Sequence, residues 1–141
     1  DDLQFPGVNV LVCEDNELNA EIVSTILSDY KINVITAVNG RDGVERFARS
    51  PEGYFSLVLM DIMMPKLNGL DATRKIRNLP RADSKTVPIV AMSANAFDED
   101  KKRSLARGMN AHISKPINVP MLENILIKFV RKKGEKPQKE S

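Results

Sequence analysis

Short apolar runs rich in Val and Ile alternate along the chain with stretches whose apolar residues recur at helical spacing. The runs Val8 to Val12, Asn33 to Thr36, Phe55 to Asp61, Pro88 to Ser93 and Ala111 to Ser114 have the length and hydrophobicity of parallel strands covered on both faces. Between them, Leu18, Ile22, Ile26 and Tyr30, with Val23 and Leu27 beside them, predict a first helix. Val44, Phe47 and Ala48 mark a second, opened by the Asn39-Gly40 turn. Leu70, Thr73 and Ile76 mark a third, and Leu105 with Ala106 a weaker fourth. Met121, Leu122, Ile125, Leu126 and Phe129 mark the fifth, with Pro120 in its first turn. Strictly alternating strands and helices give a (βα)5 α/β fold, a doubly wound five-stranded parallel sheet with right-handed crossovers. In such a sheet, ligands bind beyond the carboxyl ends of the strands.

Composition narrows the options. The length of 141 residues suits one domain, and 42% hydrophobic with 28% charged residues is globular rather than disordered. No apolar run is long enough to span a bilayer, and no apolar signal segment opens the chain, so a cytoplasmic domain without membrane contact is expected. Cys13, the single cysteine, excludes a disulfide framework and any multi-cysteine zinc site. His112, the single histidine, weakens Ser-His-Asp and two-histidine metal chemistry. The net charge is +2, but Arg131 to Ser141 alone carries +3 and leaves −1 on the remainder, so the body is no nucleic-acid surface. Residues 1–6 read as the remnant of a linker, 7–132 as the domain and 133–141 as a basic, disordered tail. The start at Asp1 fits a domain within a longer protein, and N-terminal processing would give the same start.

Chemistry gathers where the strands end. The first strand runs into Glu14 and Asp15, the third ends on Asp61, the fourth on Ser93, and the fifth leads into Lys115. Three crowded carboxylates repel unless a cation joins them, and a hard divalent ion such as Mg2+ answers that need with one or two carboxylates, waters and phosphate oxygens. Lys115 adds a mobile positive charge and Ser93 a neutral donor, a combination suited to an incoming phosphoryl group. Asp61 at a rigid strand tip is then a plausible nucleophile forming an acyl phosphate. Singly, each residue has a plainer reading; Asp15 or Asn16, for instance, could simply cap the first helix.

Val10-Leu-Val-Cys-Glu-Asp-Asn16, Leu57-Val-Leu-Met-Asp-Ile-Met-Met-Pro65 with Asn68-Gly69, Ile89-Val-Ala-Met-Ser-Ala94 and Ile113-Ser-Lys-Pro116, in this order, resemble the response-regulator receiver domains of two-component signalling. The resemblance spans about residues 7 to 132. It implies strand order 2-1-3-4-5 and phosphate transfer from a phosphohistidine of a histidine kinase or histidine phosphotransfer protein to Asp61. It further implies Mg2+ held by Asp15, Asp61 and the backbone carbonyl of Met63, with Glu14 acting through water. Ser93, the Ala94 N–H and Lys115 would bind the phosphoryl oxygens, Ser93 and His112 would form the switch, and the Lys115-Pro116 bond would be cis. Such a domain catalyses its own phosphorylation and dephosphorylation. Phosphorylation would shift the surface of the fourth helix, fifth strand and fifth helix. Glu14 to Asn19 resembles the receivers of hybrid sensor histidine kinases, so a C-terminal receiver of such a kinase, itself membrane-anchored in some cases, is favoured over a stand-alone regulator.

Several residues depart from the family pattern. Glu14 and Ser93 stand where Asp and Thr are commoner, and His112 where an inward-swinging aromatic is usual. Met63 is apolar where the attacking water would pass, so self-dephosphorylation is expected over hours rather than seconds. Met60, Met63, Met64 and Met92 are expected as flexible core filler rather than a ligand lining. Leu18 and Ile22 are either core or a docking face. A phosphohydrolase of the haloacid dehalogenase type would want an acid at position 63, and a flavin domain would not place Glu14-Asp15 beside a phosphate. A pseudo-receiver that only binds partners would not need the complete acidic set, Ser93 and Lys115.

Overall fold

The computed structural model describes residues 3–64, 66–94, 105 and 108–130. The order of elements is β1 (Asn9–Cys13), α1 (Glu17–Asp29), β2 (Asn33–Ala37), α2 (Gly40–Arg49), β3 (Leu57–Asp61), α3 (Gly69–Arg77), α4 (Asp83–Thr86), β4 (Ile89–Ser93), β5 (Ala111–Ser114) and α5 (Val119–Phe129). Every strand pair is parallel, and the order across the sheet is β2-β1-β3-β4-β5, as the resemblance implied. The predicted fourth helix, apart from Leu105, and the tail from Arg131 onward lie outside the described residues.

Side chains of successive strand residues point to opposite faces, and this period of two divides the core. Val10, Val12, Leu57, Leu59, Val90, Met92 and Ile113 pack with α1 and α5 on one face. Leu11, Cys13, Val58, Met60, Ile89 and Ala91 pack with α2 and α3 on the other. Phe5, inside the segment expected as a linker, is buried beside Tyr30 and donates its N–H to the Tyr30 carbonyl at 2.7 Å.

Four helices start alike. The side-chain oxygens of Asn16, Asn39, Asn68 and Asn118 accept the N–H of Asn19, Asp42, Asp71 and Met121, three residues on in each case. Each such cap is worth about 1 kcal/mol. The strand boundaries shift slightly from expectation. Pro88 has no N–H for the ladder and stays outside β4, while Phe55 precedes β3 and stacks on Phe47 at 5.9 Å between centroids. The single turn α4 has no apolar period to announce it. Arg81 fastens it: its guanidinium bonds Asp83 at 2.6 Å and the α2-terminal carbonyls of Phe47 and Ser50 at 3.0 and 2.8 Å.

Two glycines let α2 and α3 press against the loop after β3. A Cβ on Gly40 would overlap the carbonyl of Leu67, and one on Gly69 the carbonyl of Asp61 and the Cα of Ile62. Both clashes are with backbone, which cannot swing away. Gly69→Ala is therefore expected to cost about 2 kcal/mol, and urea unfolding at constant slope measures it.

Candidate functional site

The carboxyl edge of the sheet is assembled by pairing that continues just past the strands. Glu14 N–H bonds the Ala37 carbonyl at 3.0 Å, extending the β1–β2 ladder and fixing Glu14 at the rim. Lys115 N–H bonds the Ser93 carbonyl at 2.8 Å and does the same for β5 beside β4. Asp61 is the last residue of β3, and both it and Glu14 are buried; Asp15 is exposed.

The polar contacts are few and specific. Asp61 Oδ1 accepts the Met63 N–H at 3.1 Å, and Asp61 Oδ2 accepts from Lys115 Nζ at 2.9 Å. The same Nζ lies 2.9 Å from Glu14 Oε1, and Glu14 Oε2 accepts the Asn16 N–H at 3.1 Å. One oxygen from each of Glu14, Asp15 and Asp61 falls within 4.8 Å of the others. Burial pushes the Glu14 carboxyl above its ordinary range, and Asp61 beside it pushes the same way, against Lys115 and the Asn16 N–H. Burial would lower the Lys115 ammonium, but its bonds to Glu14 and Asp61 prevail and hold it above its ordinary value. Three carboxylates face one ammonium, so the cluster lacks positive charge, and its all-oxygen donors fit a hard divalent cation such as Mg2+.

Glu14, Asp15, Asp61 and Lys115 thus come together. Ser93 is buried at the end of β4 beside Ser114 of β5, with Ala94 exposed just after it. His112 is half-buried in β5 opposite Ala91. Lys115-Pro116 is cis. Met60, Met64 and Met92 are core, but Met63 is 77% exposed and corrects the expectation of a fourth filler. Leu18 and Ile22 are 65% and 43% exposed, because α1 turns Val23 and Leu27 inward instead. Beside them a cavity of about 270 Å3 opens among Asn19, Ile22, Val23, Pro116 and Ile117, reaching Glu14 and Lys115. The N–H of Asn16, which fixes the Glu14 carboxylate, had no signal in the sequence beyond that residue's candidacy as a helix cap. Gly69 of the Asn68-Gly69 pair lies against the Asp61 carbonyl, where a Cβ would clash.

The family described as response regulator receiver domain matches residues 10–127. The aerobic respiration control sensor protein ArcB of Escherichia coli K12 is 38% identical over 92% of the chain, which spans only 16% of that protein's length. The crystallised receiver domain of sensor histidine kinase PA1611 from Pseudomonas aeruginosa PAO1, with magnesium in its active-site cleft, superposes with a TM-score of 0.78. It is 31% identical, over 88% of this chain and 98% of that one. The Saccharomyces cerevisiae Ssk1 receiver, crystallised with the phosphotransfer protein Ypd1, gives 0.77 at 32% identity, over 89% and 90% of the two chains.

Proposed function

The chain belongs to the family of response regulator receiver domains of two-component phosphorelays, and on that premise we propose that Asp61 is its phosphoacceptor. One observation carries the assignment: Asp61 sits at the tip of a buried strand with Lys115 bridging it to Glu14. In the transfer, an Asp61 carboxylate oxygen attacks the phosphorus of a phosphohistidine. The P–N bond breaks as the new P–O bond forms, and the imidazole leaves. Lys115 follows the charge from the carboxylates to the phosphoryl oxygens, and the Ser93 hydroxyl and Ala94 N–H take the remaining ones. Asp15, Asp61 and the Met63 carbonyl would hold Mg2+, with Glu14 acting through water, and the bound ion supplies charge neutralisation at those oxygens. Ser93 and His112 carry the change of state to the outer surface.

The phosphohistidine donor is a histidine kinase or a phosphotransfer protein. The exposed Leu18 and Ile22 with the adjoining cavity form the docking face, as an apolar rim beside a charged centre suits a helical partner. No helix among the described residues is long and apolar enough to cross a membrane. We read residues 7–132 as the receiver body of a hybrid sensor kinase, placed in the cytoplasm whether or not its parent is anchored.

Incubation with Mg2+ and acetyl phosphate is expected to add one phosphoryl group by intact mass, and a chelator to prevent it. Failure to take phosphate from acetyl phosphate and from phosphorylated Ypd1, together with no binding of beryllofluoride, overturns the reading. Leu18→Asp is expected to slow transfer from phosphorylated Ypd1 by about tenfold through the loss of an apolar contact. Uptake from acetyl phosphate, which needs no docking, should stay unchanged.

A further inference from the structure

We propose that Met63 is an oxidation site through which peroxide shortens the life of the phosphorylated state; this rests on Asp61 as phosphoacceptor. The chain has six methionines. Met60, Met64, Met92 and Met109 are 8% exposed or less, Met121 is half-buried, and Met63 is 77% exposed. Oxidants in solution therefore meet one thioether well before the rest.

The residue that carries it is anchored beside the reacting group by its backbone. The Met63 N–H is bonded to Asp61 Oδ1 at 3.1 Å, so its backbone is fixed against the carboxylate while the side chain is free on three rotatable bonds. As a thioether it is a poor acceptor and holds no water for attack on an acyl phosphate. Oxidation changes that one property. The sulfur lone pair takes an oxygen atom from hydrogen peroxide, the O–O bond breaks and water leaves. The methionine is oxidised by two electrons and the peroxide reduced. The sulfoxide oxygen is a strong hydrogen-bond acceptor, able to hold and orient a water at the entrance to Asp61 for attack on phosphorus, the water's proton passing to a phosphoryl oxygen as the Asp61–phosphate bond breaks. Bulk, backbone and charge are otherwise kept.

The test treats the chain with hydrogen peroxide, locates the added oxygen by peptide mass spectrometry, then phosphorylates with Mg2+ and acetyl phosphate. After the donor is removed, loss of the phosphoryl mass is followed. The first oxygen is expected on Met63, and the oxidised protein should lose phosphate about tenfold faster, the effect of about 1.4 kcal/mol from one added water-holding hydrogen bond in the transition state. Met63→Leu should lose the response to peroxide, its treated and untreated lifetimes being equal whatever their common value, and methionine sulfoxide reductase should restore the slow loss in the parent chain. A first oxygen elsewhere, or equal lifetimes for the reduced and Met63-oxidised forms, overturns the inference while leaving the Asp61 reading intact. An untreated chain that takes no phosphoryl group from any donor overturns the Asp61 reading and this inference with it.

Discussion

Asp61→Asn is expected to abolish phosphoryl uptake while leaving the fold at least as stable as before. An amide oxygen is no nucleophile for phosphorus under these conditions, and the neighbouring Glu14 is tied at Oε1 to Lys115 and at Oε2 to the Asn16 N–H. The stability half follows from the charges. Asp61 and Glu14 are both buried and share one ammonium, so removing one carboxylate leaves a matched pair and relieves like-charge repulsion. A gain of about 1 kcal/mol is the natural scale for removing such a functional conflict. Intact mass after acetyl phosphate and urea unfolding read the two halves separately. Uptake by the variant would move the acceptor elsewhere, and a marked loss of stability would show that Asp61 anchors the fold.

Lys115→Met should damage both properties. Its ammonium is the cation 2.9 Å from both buried carboxylates, and methionine keeps most of the volume without the charge. Removing one stabilising group for developing charge typically slows reaction by about 10²-fold, and phosphoryl uptake should fall by that order. Leaving buried charges unpaired should cost about 3 kcal/mol near neutral pH. The pH dependence has a definite sign. Glu14 already has its folded pKa raised above the ordinary 4.5, so the folded state holds that proton more tightly than the unfolded chain does. Its stabilisation is present in acid and is lost as pH rises from about 4.5 through the folded value. Without Lys115 the folded value rises further, so the variant's deficit should shrink on acidification toward pH 4.5 and widen above it. Adding Mg2+ near neutrality should raise the melting temperature of the variant more than that of the parent chain, because the ion replaces the missing charge. A deficit independent of pH would mean that Lys115 acts by packing alone.

Much of this was legible in the sequence because parallel strands covered on both faces leave unbroken apolar runs. Asp61 and Ser93 end two of those runs, Glu14 follows the first and Lys115 the fifth, so the pattern alone places all four at one edge of the sheet. What was not legible has a common physical cause: pattern reports a side chain's polarity, not what it meets. Leu18 and Ile22 continue the period of Ile26 and Tyr30, yet α1 turns Val23 and Leu27 toward the sheet. Arg77 ends α3 as a charged residue, and its guanidinium bonds the carbonyls of Gly108, Ser84 and Val87 and the side chain of Asn110. Nothing in a sequence separates such an arginine from one facing water. Met63 sits among three other methionines and shares their character, but a loop turns it outward.

The division of the strand side chains between two apolar cores gives the molecule two seams. One face closes on α1 and α5 and the other on α2 and α3, while the hydrogen bonds between strands belong to both. Either helical layer can come away by breaking one seam, with the sheet still sheltered by the opposite layer. Asn19, Ile22 and Val23 of α1 line the cavity together with the segment from Lys115 to Ile117 that leads into α5, so a loosening of that layer leaves α2, α3 and their seam with the sheet in place.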